Sequence, residues 1–91
     1  MSDSIAVLIH ELDDDTTEKT EVFVSVESAG QSEFFAAQQT GMWASFKLSL
    51  WMSDYDGQRK CLFCGKEYII YRTFIRKDGK IELYLGERVG A

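Results

Sequence analysis

Ser28-Ala-Gly-Gln-Ser-Glu-Phe-Phe-Ala-Ala-Gln-Gln-Thr-Gly-Met42 is the one convincing helix in the chain, and the sequence on both sides of it alternates as strands do. Ser28 and Gln31 stand three apart, the spacing of a capping box in which each side chain satisfies a free backbone donor. Gly41 follows as a residue able to take the left-handed conformation that closes a helix. Between them, Phe34, Phe35, Ala36 and Ala37 predict about three turns with an apolar side, at about residues 29–40.

Upstream, Ile5 to Leu12 reads as a strand with Ile5, Val7 and Ile9 on one face and Leu8 and His10 on the other. Asp13 to Thr20 reads as a polar, mostly acidic connector. Glu21 to Glu27 is a cleanly alternating strand: Val22, Val24 and Val26 point one way, and Glu21, Phe23, Ser25 and Glu27 the other. Downstream, Trp43 to Met52 sets an inward Phe46, Leu48, Leu50 and Met52 against an outward Trp43, Ser45, Lys47, Ser49 and Trp51. Ser53 to Gly57 carries turn residues. Arg59 to Phe63 is a short strand, Cys64-Gly65 a tight turn, and Glu67 to Arg76 an aromatic and β-branched strand. Asp78-Gly79 signals a hairpin, and Lys80 to Glu87 closes the pattern with Ile81, Leu83 and Leu85 on one side.

Six strands and one short helix predict an all-β fold, mainly antiparallel, as a small barrel or sandwich. Curling into a barrel, with the helix at one opening, covers the apolar face that a flat sheet of this size would expose. The 91 residues suffice for a single domain, residues 1–91. An apolar content of 45% and an aromatic content of 13% suit a packed globule rather than a disordered acidic chain. No run approaches the ~18 apolar residues of a membrane span. Met-Ser-Asp-Ser at the start lacks the positive segment of a secretory signal, so a cytoplasmic origin with reduced thiols is expected.

Charge divides unevenly along the chain. Residues 1–41 hold nine acids against Lys19 alone, a net of −8, and residues 42–91 hold six acids and nine bases, a net of +3. Two readings are open. Opposite charges mix once the chain folds, or an acidic face and a basic face meet between neighbouring copies.

No catalytic constellation stands out. Cys61-Leu-Phe-Cys64 has the spacing of half a zinc site, but His10 is the one histidine and there is no second cysteine pair. A redox pair needs its first cysteine at a helix N-terminus, whereas this pair sits on a strand running into a turn. Asp13-Asp14-Asp15 lacks the alternation and distal glutamate of a calcium loop. Trp43, Trp51, Tyr55, Tyr68, Tyr71 and Tyr84 could stack bases, but a chain with a pI near 4.7 disfavours a grip on nucleic acid. No catalytic residue, cofactor or metal ligand is therefore assigned.

The run Val22-Phe-Val-Ser-Val-Glu27, then Ser-Ala-Gly-Gln-Ser-Glu-Phe-Phe-Ala-Ala-Gln-Gln39, then an alternating strand, resembles the head-closure (head–tail joining) proteins of long-tailed bacteriophages. The later glycine turn at Cys64-Gly65, the strand with Tyr68, Ile69 and Ile70, and the last strand from Ile81 to Leu85 extend the resemblance over about residues 20–88. It implies a small non-enzymatic barrel that assembles as a ring under the portal or adaptor, retains packaged DNA and offers the tail a platform. The implied partners are further copies of the chain and phage portal, adaptor and tail proteins. DNA passes through such a ring without specific binding, and no membrane is involved. The implied location is the virion connector, reached from the host cytoplasm.

Exposure nominates Asp13, Asp14, Asp15 and Glu18 in the acidic connector, Phe34 and Phe35 on the helix, Trp51 and Tyr55 as contact residues. A small metal- or redox-responsive domain using Cys61 and Cys64 is the alternative, and a nucleic-acid-binding barrel a third reading.

Overall fold

The computed structural model describes residues 2–89. Its elements run β1 (Ser2–Glu11), β2 (Thr17–Ser28), α1 (Gln31–Gln38), β3 (Met42–Trp51), a 3-10 turn (Met52–Asp54), β4 (Lys60–Phe63), β5 (Lys66–Ile75) and β6 (Lys80–Arg88). Every strand pairing is antiparallel, and the order β1-β2-β3-β6-β5-β4 closes on itself as a barrel. The expected all-β fold with one short helix is what the chain adopts.

Alternation explains the core. Val22 and Val24 of β2, Leu48 and Leu50 of β3, and Ile81, Leu83 and Leu85 of β6 are buried inside, as their spacing predicts. On β1 the interior side belongs to Ala6 and Leu8, both without exposure, while Ile5 faces solvent. Phe46 meets Phe63 and Tyr68 edge-on, at 5.2 and 5.8 Å between centroids, filling the barrel near its helical end. Each fully buried aliphatic side chain, such as Leu8, Leu48 or Leu83, contributes about 1.5–3 kcal/mol through burial.

Local chemistry sets the turns. Cys64 and Gly65 both have positive φ, 54° and 76°, the two-residue turn whose twist suits a hairpin. Arg76 donates its N–H to the Lys80 carbonyl at 2.8 Å around a three-residue turn containing Asp78 and Gly79.

Three expectations need correction. The acidic stretch is not a long connector: β2 begins at Thr17, and only Leu12–Thr16 turns, so β1 and β2 pair from Ser2↔Val26 to Glu11↔Thr17. The helix is shorter than expected, and Ser28 does not cap it. Ser28 is still held in β2 opposite Phe46; Gly30 is the N-cap, and no side chain hydrogen-bonds there. Four consecutive apolar residues at 100° steps cannot share one helix face. Ala37 accordingly turns inward while Phe35 and Ala36 face solvent. Met52 does not extend the inward row of β3, because the chain has already bent into the 3-10 turn.

Ladder lengths differ sharply around the barrel. β3 pairs with β6 along almost its whole length. β2 meets β3 only through Ser25–Ser28, and the four residues of β4 pair with β1 over Val7–Ile9 and with β5 over Lys66–Ile69. Short ladders between β2 and β3 and on both sides of β4 interrupt an otherwise continuous wall.

Close packing across β3, β5 and β6 depends on Gly86. A Cβ there would lie 2.5 Å from the Trp43 carbonyl oxygen and 3.1 Å from the Tyr71 ring. Gly86→Ala is expected to lower stability by roughly 1–3 kcal/mol, seen as a lower urea midpoint at unchanged slope. An unchanged midpoint would contradict this packing.

Candidate assembly surface

The β1–β2 hairpin carries the acid cluster. Leu12 donates its N–H to the Thr16 carbonyl at 2.8 Å, and Thr16 donates through N–H and Oγ1 to Asp14 Oδ1 at 3.3 and 2.6 Å. Asp13, Asp14, Asp15 and Glu18 are all exposed, with Glu18 on β2 opposite His10. The two readings of the uneven charge can now be compared. Glu27 pairs with Lys47 at 2.7 Å and Glu11 with Lys60 at 2.8 Å, and Glu33 pairs with Arg72. Acids of the first half thus meet bases of the second within one subunit, and the acidic excess concentrates on the hairpin.

Glu33 fastens the helix to the barrel. It is the acid of the first helical turn, and its side chain retains only 12% exposure. Tyr71 Oη donates to Glu33 Oε2 at 2.6 Å. Arg72 donates to both carboxylate oxygens, its Nε reaching Oε2 at 3.4 Å. The Arg72 guanidinium in turn lies over the Tyr84 ring, 3.9 Å from its centroid. Burial alone would raise the Glu33 carboxyl; hydrogen bonds from Arg72 and Tyr71, with the Arg72 charge, outweigh it and hold the group below the usual carboxylate range. On the apolar side Phe34 packs on Trp43, with centroids 5.4 Å apart. Phe34 is therefore half-covered, and Phe35 is the free aromatic of the helix.

The remaining nominated residues separate. Trp51 is exposed, with Lys80 Nζ 5.0 Å from its ring centroid. Tyr55 is not a free loop contact: its ring packs on the barrel core and its hydroxyl donates to the Gln58 carbonyl at 2.8 Å. Gln58, buried, accepts the Asp56 N–H through Oε1 at 2.8 Å, so this loop is internally satisfied.

Several exposed apolar residues lie outside the set of contacts that the sequence nominates. Phe23 is 79% exposed, and Ile5, its partner across the β1–β2 ladder, 52%. Phe74 and Ile75 on β5 are also exposed. The signal for Phe23 was present, because alternation puts it on the face shared with Glu21 and Glu27. Glu33 gave no comparable signal, since its partners are 38 and 39 residues away.

The cysteines point apart in function. Cys61 is fully buried among core side chains, and burial pushes its thiol up to about 12, whereas Cys64 is exposed in the turn. Among the described residues no group of three or more His, Cys, Asp and Glu could hold a metal ion. No helix among them is long and apolar enough to cross a membrane.

Because the Glu33 carboxyl is held low, the folded chain binds fewer protons than the unfolded one through the acid range. Its stabilisation is complete above the ordinary carboxylate range and is lost as pH falls through the lowered value. The stability difference between wild type and Glu33→Gln, from urea unfolding, should be largest near neutrality and shrink with acidification. A difference independent of pH would contradict this latch. No protein-family model matches the chain, and no curated protein matches it, so fold and surface chemistry carry the functional reading.

Proposed function

We propose that the chain is a head-closure subunit of a long-tailed phage or prophage, a non-enzymatic virion component. It assembles as a ring beneath the portal or adaptor, retains packaged DNA and presents a platform to the tail. The observation that carries this reading is the distribution of large exposed apolar side chains. Phe23 and Trp51 flank one shallow groove between β2 and β3, Phe35 stands on α1, and Phe74 and Ile75 on β5, so the apolar surface is divided among several places, as suits a subunit with several protein neighbours.

Two further features support it. The element order of the resemblance is present: a strand with a Val26-Glu27 step near its end, a short helix containing Phe35-Ala36-Ala37-Gln38, and a meander of strands after it. A subunit of net charge −5 with an acidic hairpin also repels phosphate, which suits a wall past which DNA must move.

The metal or redox alternative draws no comparable support. Shared ligation by the two cysteines requires the buried Cys61 thiol either to leave the core or to ionise within it, against the desolvation that raises it.

Removing the gene from its phage tests the role. The expected particles lose packaged DNA and remain tailless, and wild-type protein added back restores both. Normal infectious particles without the protein would end the proposal.

A further inference from the structure

The short ladders leave strand edges bare, and two of these, on β2 and β5, match in position and charge. Around the closed order β1-β2-β3-β6-β5-β4, β2 and β5 stand three strands apart in either direction, on opposite sides of the barrel. On the side facing β3, β2 has ladder partners only from Ser25 onward, so Thr17–Val24 is unpaired there. On the side facing β4, the β5 ladder ends at Ile69, the Ile70 N–H still donates to the Arg59 carbonyl at 2.8 Å, and Arg72–Ile75 beyond is exposed on both faces. A groove of about 350 Å³ marks the β2 edge, lined by Phe23, Val24, Leu50 and Trp51 among others, and one of about 630 Å³, lined by Ile69, Ile70 and Tyr71 among others, ends just short of Arg72 on β5.

Unpaired edges are templates for another strand, and monomeric proteins blunt them with charge or bulges. These edges carry charge, but of opposite sign. Asp13 to Val24 contains five acids and Lys19, a net of −4; Arg72 to Lys80 contains four bases and Asp78, a net of +3. Each edge also displays apolar side chains that a protected edge would lack: Phe23 on β2, Phe74 and Ile75 on β5. Unlike surfaces on opposite sides of one subunit generate a head-to-tail repeat rather than a two-fold dimer.

We infer that the occupant of each edge is a second copy of this chain, the acidic β2 edge of one subunit docking on the basic β5 edge of the next. Main-chain hydrogen bonds supply the contact, Phe23 and Phe74 its apolar centre, and the charges its polarity. This deepens the ring reading by naming the surfaces that meet.

Cysteine cross-linking of the purified full chain tests the contact. In a Cys64→Ser background, where Cys61 is buried, one protein carries Thr20→Cys and another Thr73→Cys. Both sites are exposed, and an unchanged urea midpoint verifies folding. With a short bismaleimide, the mixed product is expected to exceed either homotypic product by roughly tenfold, with high salt or Phe23→Lys, which removes the apolar ring and opposes the charge match, abolishing that excess. Predominant Thr20→Cys homodimers, or no mixed product in concentrated protein, would overturn the contact. The phage deletion reads the role separately. Mixed product without a particle defect removes the role and keeps the contact, while a particle defect without mixed product does the reverse.

Discussion

Hydrogen bonds between Val7–Ile9 of β1 and Lys60–Leu62 of β4 turn a six-stranded sheet into a barrel, and the rest of the molecule follows from how short that closure is. β4 has four residues, bounded by the loop that Tyr55 anchors and by the Cys64-Gly65 turn. Flanking strands of ten residues therefore run past it unpaired. The same economy applies across the barrel, where β2 extends far beyond its four rungs with β3. A small chain seals its core with little strand length and leaves backbone donors and acceptors facing water. Such edges are hazardous in a monomer and useful in an assembly.

Electrostatics follow the same division. Where ladders are complete, acid and base meet across strands: Glu27 with Lys47, and Lys47 with Glu82 at the longer distance of 3.7 Å. These solvent-accessible, half-buried pairs contribute modestly to stability, but they neutralise the middle of the barrel. What remains is acid on the β1–β2 hairpin and base around the β5–β6 hairpin. The helix belongs to the neutral part. Glu33, Tyr71 and Arg72 hold it against the wall, so Phe35 is presented from a fixed support.

Alternation made most of the fold readable. Val22 with Val24, Leu48 with Leu50, and Ile81 with Leu83 and Leu85 fix inside and outside by their period, and the turn glycines fix the hairpins. The ends of elements were harder. Thr17 to Thr20 looks like loop because nothing apolar marks it, yet its backbone is held by a complete ladder with β1. Ser28 looks like a cap because its spacing to Gln31 is right, yet strand pairing with Phe46 claims it first. The candidate surface was half legible. Outward Trp51 and the exposed acids follow from local pattern; Tyr55 as a core plug and Glu33 as a latch depend on long-range contacts that no local window contains.

Hydrogen exchange of the backbone amides examines the bare seams most directly, since it reads each edge separately. In the free protein, amides of Leu48, Leu83 and the β3–β6 ladder should exchange only through global unfolding. Alternate amides over Thr17–Val24, and those of Arg72–Ile75 directed towards β4, should exchange orders of magnitude faster, and become protected when the subunit assembles. Uniform protection around the barrel in the free chain, or edges that stay unprotected after assembly, would contradict the account.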